Sequence, residues 1–171
     1  MRKLLALTIF ASIAAASQAI VFPVGPFAPT SVDTFDTYAA GGFLAHPVFA
    51  GLGVAQAIGS GGALVIGPPS PFLSGPNGMF GRGVDVNIKI NGQRRRFGGG
   101  FRNVLAGIVP ATTVKFKFYD VTNTLIGTAT APLTAAWTWR GYITVPKWTR
   151  VEIYGNAGLP GYVAMDNLRL N

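Results

Sequence analysis

The chain has no cysteine, a single histidine, and only 6 acidic residues among 171. Without cysteine there is neither a disulfide framework nor a thiolate metal site, so packing, with or without a bound ion, must hold the fold. The lone histidine, His46, lies in Ala-His-Pro with no serine or second histidine arranged around it, which argues against a catalytic triad or a zinc centre. Acid is scarce as well. Glycoside cleavage needs two carboxyl groups facing each other across the scissile bond, and Asp33, Asp36, Asp85, Asp120, Glu152 and Asp166 are the whole supply. None sits in a recognised catalytic motif, so the sequence reads as a non-enzyme. Asp85 and Glu152 fall at outward strand positions where pairing with Lys or Arg is ordinary, and Asp120 opens the turn Asp-Val-Thr-Asn.

Amphipathic helices are missing too, and charged residues make up only 12% of the chain, against 23 glycines and 12 prolines. That balance suits a turn-rich all-β domain, and the length suits one domain with a real core. The N-terminus is a separate object. Arg2-Lys3, the apolar run from Leu4 to Ala16, and small residues at Ser17 and Ala19 form the pattern of a secretory signal peptide cut after Ala19. Residues 1–19 are therefore read as a leader and 20–171 as a single exported domain, secreted to the exterior or the periplasm. Nothing later in the sequence can span a bilayer as a helix. Removing Arg2 and Lys3 leaves 12 basic against 6 acidic residues, an excess that favours polyanions in general.

Strand periodicity is clearest from Val84 onward. Val84, Val86, Ile88 and Ile90 alternate with Asp85, Asn87 and Lys89, and Asn91-Gly92 supplies the residues of a tight type I′ turn, which predicts a hairpin. In a two-residue turn Lys89 faces Arg94, Ile88 faces Arg95, Asn87 faces Arg96 and Val86 faces Phe97. Lys89, Arg94 and Arg96 then share one cationic face, while Arg95 snorkels from the apolar side. Gly98-Gly99-Gly100 predicts a bulge, a bend or the close approach of a neighbouring backbone. A phosphate-binding loop is the sharper alternative, but it lacks the following helix and Lys-Ser/Thr pair. Further strands are expected at 31–38, 53–58, 63–66, 112–120, 125–130, 137–145, 149–154 and 161–170. Ile20 to Pro29, with three prolines, is expected as an extended lead-in, and 67–81 as a long loop. About ten short strands and no internal repeat read as an antiparallel β-sandwich of the jelly-roll kind.

The order of short motifs adds a likeness. Phe35-Asp36, Phe97-Gly-Gly-Gly-Phe-Arg-Asn, Val114-Lys-Phe-Lys-Phe-Tyr-Asp, Leu125-Ile-Gly-Thr, Gly141, Val151-Glu-Ile and Met165-Asp-Asn-Leu resemble the secreted jelly-roll domains of bacterial PEP-CTERM exported proteins, which are similar in turn to carbohydrate-binding modules. The sequence departs from that pattern at its end, with no Pro-Glu-Pro signal, membrane helix or basic tail before Asn171. The resemblance implies a non-catalytic extracellular sandwich. It also implies a structural Ca²⁺ held between Asp36 and Asp166, with Asn167 and backbone carbonyls completing the oxygens a hard cation requires. The alternative is that Asp36 accepts turn amides and Asp166 pairs with Arg169 or another base.

Aromatic rings stack on the apolar faces of sugars. Trp137 and Trp139 share a strand face and are expected in the core, whereas Trp148, after Pro146-Lys147, is the candidate exposed platform. Lys89, Arg94 and Arg96 are the candidate grip for sulfate, uronate or phosphate, the alternative being a solvated edge that discourages aggregation. No ladder of base-stacking aromatics accompanies them, so specific nucleic-acid recognition is not expected. Two readings stand. One is a surface protein binding glycan or another matrix polyanion, and the other is a structural, self-assembling surface or fibre protein.

Overall fold

The computed structural model describes residues 20–59, 62–67, 78–82, 84–103, 111–155 and 163–171. The expected leader, and residues 68–77 of the expected loop, lie outside the described residues. Twelve strands follow in chain order: β1 (Ile20–Pro23), β2 (Ser31–Asp33), β3 (Gly41–Phe43), β4 (Ala45–Val48), β5 (Gly53–Ile58), β6 (Ala63–Gly67), β7 (Gly78–Arg82), β8 (Asp85–Asn103), β9 (Thr113–Tyr119), β10 (Leu125–Pro132), β11 (Thr138–Tyr154) and β12 (Val163–Leu170). Every pairing is antiparallel.

Two long strands, β8 and β11, build both layers of the sandwich. The first half of β8 pairs with β5 and with the second half of β11, which in turn pairs with β9. With β10 and β4 at its edges this is the front sheet. The second half of β8 pairs with β12 and with the first half of β11, and β1, β2, β7, β6 and β3 extend this back sheet. Rings from the two layers meet between them. Phe97 on the back sheet lies 6.3 Å from Phe118 on the front, and Phe101 lies 5.1 Å edge-on to Phe116. All four are fully buried, and each such side chain contributes about 1.5–3 kcal/mol.

The predicted hairpin does not form. Asn91-Gly92 lies inside the continuous strand β8, where Gly92 takes a φ of 83° and the Asn91 N–H donates to the Leu52 carbonyl. The register explains why. Arg150 pairs with Lys89 and Trp148 with Arg94, so β8 carries the extra residues of a bulge there, and β11 carries its own between Ile143 and Trp148. Across the bulge the buried set of β8 changes from even positions (Val86, Ile88, Ile90) to odd ones (Phe97, Phe101). The strand thereby crosses from one layer to the other. Lys89 therefore faces Arg150 and Val54, not Arg94, and Arg95 is exposed.

Other expectations change less. Ile20 to Pro23, read as lead-in, forms an edge strand along β11, and residues 78–81, read as the end of the long loop, belong to β7, which pairs with β6 and β12. The strand at 31–38 ends at Asp33, whose carboxylate accepts the N–H groups of Phe35 and Phe49 and the Tyr38 hydroxyl. The glycine triplet meets close neighbours, as one of its readings required: a Cβ on Gly99 would lie 2.6 Å from Leu168 Cδ2, and one on Gly98 2.6 Å from Trp139 Cζ2.

Candidate functional site

The outward side of the front sheet gathers polar and aromatic side chains into rows fixed by strand register. One row runs Tyr119, Arg150, Lys89, Val54 over β9, β11, β8 and β5. The next runs Thr128, Lys117, Glu152, Asn87, Gln56, from β10 to β5. Five strands at about 4.8 Å spacing make this row about 19 Å long. Alternation places these residues outward because Val114, Phe116, Phe118, Val151 and Ile153 occupy the intervening buried positions.

Glu152 is the hub. It accepts hydrogen bonds from the Tyr154 hydroxyl at 2.6 Å and the Tyr119 hydroxyl at 2.7 Å, and forms an ion pair with Arg150. The Arg150 guanidinium lies 3.6 Å from the Tyr119 ring centroid and donates through Nε to Asn123 Oδ1 at 2.9 Å. Lys117 stands over the Tyr154 ring at 4.5 Å, and Asn87 Nδ2 donates to Gln56 Oε1 at 3.2 Å. Burial pushes the Glu152 carboxyl up, but the bonds from Tyr154, Tyr119 and Arg150, with the Arg150 charge, more than offset it and leave the group below its ordinary range. Both phenols titrate above their ordinary value, through burial first and the Glu152 carboxylate second. The result is a fixed surface of two half-buried rings and several cationic and amide donors. Such a surface can stack on the apolar faces of sugars and bond their hydroxyls.

The expected binding residues are not brought together. Of Lys89, Arg94, Arg96 and Trp148, only Lys89 belongs to the front face. Arg94 is half-buried at the bulge, with Nη1 donating to the Gln93 carbonyl, and Arg96 packs over Phe27 at 5.8 Å on the back sheet. Trp148 is fully buried against Phe97 and Phe118, at 5.6 and 6.0 Å, so it is a core residue and no platform. Trp137 and Trp139 reverse the other way. Both are half-buried on the outer side of the back sheet, beneath Arg102 and Arg169 respectively. The front-face residues the sequence did not single out, Tyr119, Arg150 and Tyr154, do alternate outward with Lys117 and Glu152. What the pattern lacks is the pairing of β9 with β11.

The structure brings Asp36 and Asp166 within electrostatic range. Burial first, opposed by hydrogen bonds from Asn167 and reinforced by the charges of Asp36 and Asp33, leaves the Asp166 carboxyl raised to about 6. Asp166 accepts the Asn167 N–H at 2.6 Å and its Nδ2 at 3.1 Å. Two carboxylates and an amide suit a hard cation, with carbonyls or water making up the remaining oxygens, since among the described residues no three His, Asp or Glu side chains group together. Asp120 is turn chemistry as expected, accepting the N–H groups of Thr122 and Thr124. No helix among the described residues is long and apolar enough to cross a membrane.

No protein-family model matches the chain, and no curated protein does. Solved structures do. The chain is similar to a CBM22-1 xylan-binding domain from Paenibacillus barcinonensis, at TM-score 0.48 and 14% identity over 78% of this chain and 97% of that one. It is similar to a CBM29-2 carbohydrate-binding module, at TM-score 0.42 and 10% identity over 89% and 91%. A third likeness is to an arabinose-bound GH51 α-L-arabinofuranosidase, at TM-score 0.50 and 11% identity over 83% of this chain and 27% of that one. At such identities the likeness is one of fold, that of an antiparallel β-sandwich.

Proposed function

We propose that this is a secreted, non-catalytic β-sandwich that binds polysaccharide, anionic chains included, along the front face. The observation that carries the reading is the Tyr119, Arg150, Glu152, Tyr154 network, with Lys89, Lys117, Asn87 and Gln56 in register beside it. The ion pair and hydrogen bonds hold both rings before any ligand arrives, which lowers the entropy cost of binding. Lysine on either side of the hub favours uronate or sulfate-bearing chains. Against catalysis, Glu152 is held ionised and has no proton to donate, and the cleft between β1, β10 and β11 is lined by no carboxylate. Secretion rests on the leader pattern of residues 1–19, and kinship with the PEP-CTERM exported domains on the motif order. The Ca²⁺ proposal rests on Asp36, Asp166 and Asn167.

The test is retention on immobilised neutral and acidic polysaccharides at low and high salt. Tyr119→Ala and Tyr154→Ala should each weaken retention at least about tenfold, as loss of a central aromatic anchor does, with melting midpoints confirming that the variants fold. Lys89→Ala should reduce only the salt-sensitive part. Front-face variants that bind as the wild type does would refute the assignment, and assembly without ligand would favour the structural reading.

A further inference from the structure

The gap where the edge of the back sheet meets the edge of the front sheet is a cleft of about 360 Å³ between β1, β10 and β11. Its floor is apolar, with Val21, Ala129 and Ala131, and Trp139 and Tyr142 also line it. Thr128 and Thr130 of β10 border it, with their side chains on the outward front face. Arg140 is the charged residue in this lining.

Arg140, like Arg94 and Arg169, has a buried Nε with no partner, and it lines this cleft. Its Nη2 donates to the Pro132 carbonyl at 2.6 Å and its Nη1 to the Trp139 carbonyl at 3.2 Å, while Nε is buried without a partner. No carboxylate among the described residues pairs with it. A guanidinium carries five N–H donors in a fork, so two carbonyls leave donors and the whole positive charge uncompensated. The neighbouring Tyr142 hydroxyl has no hydrogen-bond partner among the described residues, and the Arg140 charge lowers a phenol that burial raises. A half-buried cation without an anion, beside an unbonded hydroxyl in a walled space, lacks a negatively charged acceptor.

We propose that this cleft is a second binding site, separate from the front face, that takes one carboxylate-bearing sugar unit, a uronate, with its carboxylate on Arg140. The volume suits a single ring at the small end of ligand pockets. The apolar floor suits the C–H face of a pyranose, and the Tyr142 hydroxyl suits its polar edge. The guanidinium fixes the sign of the substituent. The choice of a sugar over another small acid rests on the front-face reading, while the anion preference does not.

The experiment titrates the folded protein with D-glucuronate, and with D-glucose at the same concentrations, following backbone amide shifts by NMR. Glucuronate should move the amides of Ala129, Thr130, Ala131 and Gly141, and glucose should not. Arg140→Gln should weaken glucuronate at least tenfold. Ala129→Leu, a change in the apolar floor that leaves the guanidinium in place, should weaken it several-fold. Equal response to both sugars, shifts confined to the front face, or undiminished binding by Arg140→Gln would each overturn the proposal. Loss of polysaccharide retention with glucuronate still bound in the cleft would sink the front-face reading and leave this one standing.

Discussion

Asp166 makes the arrangement between the end of β2 and the middle of β12 measurable. Its carboxyl titrates at about 6 in the folded chain against an ordinary 3.8, because it is half-buried and faces Asp36 and Asp33. Between those values the native state holds a proton that the unfolded state releases, so stability falls as pH rises through this window and stays reduced above it. A gap of about 2 pH units corresponds to about 3 kcal/mol, which solvent screening at a half-buried site trims to about 2. Asp166→Asn removes the titration. It keeps an acceptor for the Asn167 N–H and sacrifices the bond from Asn167 Nδ2, at about 1 kcal/mol. In chelator-treated protein the difference between variant and wild type should therefore move by about 2 kcal/mol in favour of the variant from pH 4 to pH 7.5. For a domain of this size that is about 4–8 °C in melting midpoint, read by calorimetry. Millimolar calcium should restore the lost stability to the wild type and not to the variant. Parallel pH profiles for the two proteins would refute the electrostatic account, and a wild-type midpoint indifferent to calcium would remove the ion.

Two further expectations concern β8 and β11. Gly98→Ala places a Cβ 2.6 Å from Trp139 Cζ2 and 3.0 Å from Gly141 Cα, an overpacking of about 1–3 kcal/mol that should lower the melting midpoint by several degrees; an unchanged midpoint would mean the indole does not lie on that glycine. Glu152→Gln should bring the absorbance titration of Tyr119 and Tyr154 down towards the ordinary phenol value without reaching it, since the contribution of burial remains, and unchanged phenol titration would disprove the hub.

Strand content was legible because alternation such as Val114, Phe116, Phe118 is local and the buried side follows from it. The crossing of β8 was not. Asn91-Gly92 between alternating apolar residues satisfies a hairpin and a bulge equally well at short range, and the choice is made by β5 and β11, which occupy the edges a hairpin would have used for itself. The tryptophans misled for a related reason. Which of two alternating faces turns inward at 137–148 depends on the glycines opposite, and Trp139 can lie outside only because Gly98 and Gly141 leave room beneath its ring. Trp148 is carried into the core beyond the irregularity of β11, a shift of register that no residue within a few positions announces. The front-face site was legible only in part: Glu152 and Lys89 were assigned outward, whereas Arg150 and Tyr154 join them through the pairing of β9 with β11, which no local pattern announces.

The two faces differ in a way that bears on where a ligand can settle. On the back sheet the chain covers itself. The Val24 N–H donates to Gly141, the Val24 carbonyl accepts the Trp139 indole N–H, the Phe27 carbonyl accepts from Arg169, and the buried Phe27 ring packs edge-on to Trp139 at 5.8 Å. Segment 24–30 is thus an intramolecular occupant of the Arg96, Trp139, Arg169 surface, using the ring-and-guanidinium contacts a sugar acid would otherwise find there. On the front sheet, Lys89, Lys115, Gln56, Thr128 and Thr130 remain exposed around the Glu152 hub. Phe27→Ala would vacate the back face and expose a second arginine–aromatic surface. A gain of salt-sensitive polysaccharide retention in that variant would therefore reflect loss of self-occupancy, whereas retention by the native fold would belong to the front face, which no described segment covers.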